Sequence, residues 1–148
     1  MLDHEFGARS IKNLDTCHKD LQRLACRALQ LSPYDFSIIH GWRDEEVQNA
    51  LHASNASEKR WPDSKHNHFK ECTSSIEIIP ESLAVDFAPW ISGDIPWHDT
   101  HIFSVIAGCF FAAAAEQGIT IRWGGDWDSD GSTKDQKLMD YGHIELVL

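Results

Sequence analysis

The segment that most constrains this fold is the long, largely apolar helix predicted from about Trp97 to Gln117. Ile102, Val105, Ile106, Cys109, Phe110 and Ala113 recur there at three- and four-residue steps, the period of a helix with one inner face. Gly118 follows as a natural C-terminal cap. No apolar run in the chain reaches the roughly 18 residues a membrane span needs, so other parts of the chain must cover this helix. The candidates are short β-rich runs: Ala84 to Ala88, ended by Pro89; Ile119 to Trp123; and a closing strand beginning at His143, with Ile144, Leu146 and Val147 as its apolar residues.

The N-terminal half adds complementary pieces. Ile11, Leu14, Cys17, Leu21, Leu24, Ala25, Ala28 and Leu29 predict one amphipathic helix over residues 10–31, with Ser10 as its N-cap and Ser32-Pro33 as its stop. Phe36 to His40 reads as a strand ended by Gly41. Asp44 caps a second helix running to about His52, and residues 53–65 are polar and turn-rich. Ser75 to Ile79 is a weaker strand candidate, closed by Pro80. This order predicts an α+β fold with a small antiparallel sheet and helices packed on one side. The 148 residues suit a single domain with a real core.

A formal net charge of -10 argues against nucleic acid as a main partner, because phosphate contacts need a basic surface. The acidic start Met1-Leu2-Asp3-His4-Glu5 has no apolar stretch behind it, so no secretory signal is expected. Cys17, Cys26, Cys72 and Cys109 form no C-x-x-C pair; the first two and Cys109 fall in helical patterns and read as small buried hydrophobes, with thiols reduced. The sequon Asn55-Ala56-Ser57 is discounted without a secretory route.

The chemistry-bearing residues are His66 at the end of the polar loop, Asp86 in the Ala84–Ala88 strand, and His143 at the start of the last strand. Two imidazoles and one carboxylate suit a zinc ion that keeps one position open. Such a site needs a further carboxylate to carry protons. Asp140, three residues before His143, is one candidate, because Tyr141-Gly142 can turn its side chain back. Glu145 shares the strand face of His143 and is the rival.

Four motifs occur together and in order: Ser64-x-His66, Ala84-x-Asp86-Phe87-Ala88-Pro89, Trp123-Gly124-Gly125-Asp126-Trp127, and Asp140-x-x-His143-x-Glu145-Leu146. In this they resemble the LAS metallopeptidases, which include the VanY-type D-alanyl-D-alanine carboxypeptidases. The strongest likeness is to phage endolysins that act as L-alanyl-D-glutamate endopeptidases on peptidoglycan. Ala28 to Phe36 and the Gly41-Trp42-Arg43 turn resemble the same endolysins, so the likeness covers nearly the whole chain. It implies a LAS peptidase-like fold with zinc on His66, Asp86 and His143, and Asp140 as catalytic acid/base. Arg43 would help hold substrate or the developing oxyanion, or else simply pair with a carboxylate. Ser64 would lie near substrate.

One departure concerns the first motif, where Asp86 stands twenty positions after His66 instead of a short fixed run containing glycine. An insertion over about residues 67–83 explains this and is expected to form a surface flap. It leaves His68 as the alternative first ligand, with Cys72 behind it. A second departure is the loop Asp126-Trp127-Asp128-Ser129-Asp130-Gly131. It matches the first half of an EF-hand, but Lys137 stands where the loop's glutamate belongs. Related endolysins carry regulatory calcium here. Asp126, Asp128, Asp130 and Asp135 are either calcium ligands or a solvated acidic turn. Trp42, Trp90, Trp97, Trp123 and Trp127 suit core or cleft walls more than repeated glycan sites.

The expected function is a monomeric zinc peptidase that cuts the stem peptide of bacterial peptidoglycan. It would be a phage endolysin accumulated in the host cytoplasm and released to the wall through a holin. The alternatives are a D-Ala-D-Ala carboxypeptidase and a non-catalytic zinc-containing wall-binding domain.

Overall fold

The computed structural model describes residues 3–134 and 140–148. Its elements are α1 (Ala8–Leu14), α2 (Lys19–Leu31), β1 (Phe36–His40), α3 (Glu45–Ala53), a 3₁₀ turn (Lys65–Asn67), β2 (Phe69–Glu71), β3 (Ile78–Pro80), β4 (Ala84–Pro89), α4 (Thr100–Gln117), β5 (Ile121–Trp123) and β6 (His143–Leu146). Four strands form one antiparallel sheet in the order β1-β4-β6-β5, and β2 pairs with β3 as a separate hairpin. The α+β class with a small antiparallel sheet is as the sequence predicts.

Strand alternation divides the sheet into two chemistries. Ile38, Val85, Phe87, Ile144 and Leu146 face the core, where they meet Leu21, Leu24, Phe103, Ile106 and Phe110. Across the same strands, Asp86 is register-paired with His143, and Arg122 with Glu145. The core face anchors the sheet on α4, which also packs against α2. Gly118 takes the left-handed conformation at the end of α4, with φ 67°, as a C-terminal glycine cap does.

Phe110 is fully buried, with its ring centroid 5.4 Å from that of Phe87 and 5.6 Å from that of Phe36. Phe110→Ala is expected to destabilise the protein by about 3–5 kcal/mol through lost burial and the cavity left behind. Urea unfolding monitored by circular dichroism would show this as a lower midpoint at constant slope.

The structure corrects several local expectations. The helix predicted over 10–31 is two helices, because the chain is needed elsewhere at Thr16–His18. Cys17 bridges Ser82, the His18 N–H donates to the Ser82 carbonyl at 2.9 Å, and the His18 ring caps α2. Ser10 therefore caps nothing; it is buried and accepts the Ile38 N–H at 3.0 Å. The strand expected over Ser75–Ile79 is shifted: β3 starts at Ile78, Pro80 lies within it, and Ile76 is exposed. The last helix begins at Thr100, capped by Asp99, and Val105 faces outward. Cys26 is exposed, because the apolar stripe of α2 is narrower than the spacing implied. Asp44 caps α3 as expected, accepting the Val47 N–H at 2.9 Å.

Candidate metal centre

Two of the three predicted ligands are neighbours by strand register alone. Asp86 on β4 lies opposite His143 on β6, so their side chains rise side by side from the polar face. His66 arrives from the 3₁₀ turn. That turn is fixed over the sheet by backbone bonds from the Arg43 N–H to the His66 carbonyl and from the Leu83 N–H to the Lys65 carbonyl, both 2.9 Å. Ser64 caps it, accepting the His66 N–H at 3.2 Å, while the Asn67 side chain accepts the Ser64 N–H. The twenty-position gap that puts the first ligand in question is spanned by the β2–β3 hairpin, which returns the chain to β4.

The donor atoms converge. His66 Nε2 lies 3.3 Å from both His143 Nδ1 and Asp86 Oδ1, and those two are 3.2 Å apart. Ligands held about 2.0–2.2 Å from zinc at tetrahedral angles stand about 3.3–3.6 Å from one another, so this triangle fits that ion. The second nitrogen of each ring is also engaged: His66 Nδ1 lies 2.8 Å from the Gly41 carbonyl, and His143 Nε2 lies 3.0 Å from Glu145 Oε1. An acceptor on the far nitrogen puts the proton there and turns the lone pair of the near one toward the metal. His68 lies outside this cluster, on the surface, with Nδ1 2.9 Å from the Glu81 carbonyl.

Electrostatics agree with ligation. Burial pushes the His66 pKa down and keeps the ring neutral. Burial opposes the charge of Asp86, yet the surrounding histidines hold its carboxyl well below the usual range. Burial also works against a charged His143, but Asp86 and Glu145 outweigh it and raise the ring to about 9 without metal. A cation binding here therefore displaces a proton.

The triangle opens into a cleft of about 520 Å³ lined by Arg43, Ser64, Arg122, Trp127 and Asp140, among others. Asp140 Oδ2 lies 4.0 Å from His143 Nδ1, and the side chain is half-exposed. Desolvation by the cleft walls, and then the charge of Asp86, raise its pKa, as suits a group that takes up and returns a proton. Glu145 is placed differently. It sits behind the His143 ring, with Lys65 and Arg122 3.5 and 3.6 Å from its other oxygen. Arg43 is bonded to Asp86 and lies 3.1 Å from His40 Nδ1. It therefore pairs with a carboxylate while still lining the cleft. A larger hollow of about 630 Å³ at His52, Arg60 and Trp61 contains none of these groups, so chemistry rather than size selects the site.

A family model described as phage L-alanyl-D-glutamate peptidase matches residues 2–147. The chain belongs to this family. It is 37% identical over 149 residues to the L-alanyl-D-glutamate peptidase of Escherichia phage T5, covering 99% of this chain and 100% of that one. Its fold matches the crystal structure of the Serratia marcescens L-Ala D-Glu endopeptidase ChiX with a TM-score of 0.73 and 28% identity, over 97% of this chain and 90% of that one.

The acidic loop of this peptidase brings carboxylate oxygens of Asp126, Asp128 and Asp130 within 4.8 Å of one another; Asp135 lies outside the described residues. Asp126 already accepts the N–H groups of Asp130 and Gly131 at 3.2 and 3.0 Å, as an acidic turn does without an ion. Gly124 is needed for packing, since a Cβ there would stand 2.1 Å from the Asp140 carbonyl. Trp127 lies with its ring centroid 5.0 Å from that of His143, Trp123 is buried in the core, and Trp90 and Trp97 are exposed. Among the described residues, no helix is long and apolar enough to cross a membrane.

Sequence reasoning missed two positioning residues. A bulge at Ile39 puts His40 opposite Asp86 instead of in the core, with Nδ1 3.1 Å from Asp86 Oδ2. Gln48 is fully buried. It donates to the Lys59 carbonyl at 2.6 Å and accepts from the Asn67 amide at 3.2 Å, tying a cleft wall to the ligand turn. Neither a bulge nor a buried glutamine leaves a sequence pattern of its own.

Proposed function

We propose that this peptidase is a zinc enzyme that hydrolyses the L-alanyl–D-glutamate bond of the peptidoglycan stem peptide, acting as an endolysin on the wall after release from the host cytoplasm. The observation that carries this reading is the 3.2–3.3 Å donor triangle of His66, Asp86 and His143 with Asp140 beside it in the cleft. Zinc, when bound there, supplies a Lewis acid that acidifies water and polarises a carbonyl. Asp140 accepts the proton of the attacking water and delivers it to the departing amine. Arg43 holds Asp86 in place and presents its remaining surface to the substrate, and Ser64 fixes the turn that carries His66.

Mass analysis of sacculi digested by the zinc-loaded protein tests the reading. Release of stem peptides beginning at D-glutamate is expected. Loss of a single terminal alanine would make it a carboxypeptidase, and intact sacculi would make it a binding domain.

Glu145→Gln is expected to weaken zinc binding by about 10–100-fold, as loss of a carboxylate behind a ligating histidine does. Competition with a chromophoric chelator measures it. For the acidic loop, the finer reading is a calcium ion on Asp126, Asp128 and Asp130. Calorimetry should then show calcium binding to the wild type that is lost in Asp128→Asn, whereas no heat in the wild type leaves a solvated turn.

A further inference from the structure

A glutamate joined through its amine keeps two carboxyl groups. If the peptide continues through one, the other stays free beside the bond to be cut. A substrate of this class is anionic at its reacting end, while the whole chain carries a net charge of -10. The cleft must therefore supply local positive charge to hold it.

Among the described residues, four cationic side chains line the cleft: Arg43, Lys59, Lys65 and Arg122. Arg43 is engaged by Asp86 and His40. The Lys65 ammonium donates to the Leu146 carbonyl at 2.7 Å. Lys59 sits on the loop wall rather than on the sheet. Arg122 remains. It stands on β5 in register with Glu145, so the sheet fixes its position and directs it to the site face. Its side chain is 40% exposed; among the described residues its one ion-pair partner is Glu145 Oε2 at 3.6 Å, and its guanidinium makes no hydrogen bond. Lys65 lies 3.5 Å from the same oxygen, and the other Glu145 oxygen is taken by His143. Two cations thus share one carboxylate, leaving one positive charge in surplus. A guanidinium fork matches a carboxylate with two parallel bonds, which an ammonium cannot do.

We infer that Arg122 receives a free carboxylate of the stem peptide and sets the preference of the cleft for the acidic substrate over its amidated form. This rests on the L-alanyl–D-glutamate reading above. The carboxylate belongs either to the glutamyl residue itself or to the residue that follows it.

The test uses three synthetic stem peptides: one with both carboxylates free, one amidated at glutamate, and one amidated at the next residue. In the zinc-loaded wild type, one amidation is expected to raise KM by about 10–100-fold, and the peptide that shows this names the carboxylate. In Arg122→Gln the ratio should fall towards one, with the loss in KM more than in kcat, and Arg122→Lys should restore part of it. Because the readout is a ratio within one protein, a general loss of fold or of zinc cancels. The inference is overturned if Arg122→Gln keeps the wild-type ratio, or if the wild type shows none. The same peptides are titrated calorimetrically into Asp140→Ala with and without Arg122→Gln. A carboxylate preference there that depends on Arg122, in a protein whose wild type cuts another bond, would overturn the proposed scissile bond and keep the role of Arg122.

Discussion

Asp140→Ala is expected to abolish lysis while the protein still binds one zinc. Asp140 is not in the donor triangle; its oxygen stands 4.0 Å from His143 Nδ1, so its removal leaves all three ligands in place. The step it carries, moving a proton from water to the amine, is worth about 10²–10⁴-fold in rate. Turbidity loss of permeabilised Gram-negative cells, measured beside zinc content by mass spectrometry, separates the two effects. Retained lysis would move the proton carrier elsewhere. Glu145 is poorly placed to take over, because its carboxylate lies behind the His143 ring and not beside the ligating nitrogen. Loss of zinc together with activity would make Asp140 a ligand or a structural group instead.

His66→Ala should have the larger effect, removing both metal and activity. Zinc lowers the pKa of bound water to about 7, so a site that cannot hold it is expected to lose on the order of 10³-fold or more in rate. Zinc content should fall below stoichiometric at micromolar protein, and chelation of the wild type should reproduce the loss and lower its melting temperature, since a metal bound only by the folded state stabilises that state. His68→Ala serves as the control. Its ring is on the surface against Glu81, and the variant should keep zinc and lyse like the wild type. If His68→Ala lost zinc and His66→Ala did not, the first ligand would be the wrong histidine.

The parts of the fold legible in the sequence were those where burial and local geometry agree. The last helix was found because its apolar period and its glycine cap point the same way. Asp44 was found as a cap because an aspartate before a helical run has one obvious use. The helix predicted over 10–31 was not, because the period continues smoothly through Thr16–His18, and only the distant Ser82 reveals that the backbone is needed there. Ile76 was misplaced for a related reason: β-branched residues signal a strand, but a hairpin standing off the core gives them nothing to pack against. At the site, His66, Asp86, His143 and Asp140 were each visible as residue types at motif positions. The contributions of His40, Gln48 and Arg122 were not, since each depends on a cross-strand or loop partner far away in the chain.

The sequence alone determined the donor types, their order and the acidic character of the chain, because these are properties of single residues and short motifs. Tertiary structure decided which histidine completes the donor triangle, that Glu145 stands behind the His143 ring on its Nε2 side, and that Arg122 shares the Glu145 carboxylate with Lys65 at the cleft. The physical reason is strand register. Pairing Asp86 with His143 and Arg122 with Glu145 places charges within a few ångströms that lie 57 and 23 positions apart in the chain, and local patterning does not encode that pairing.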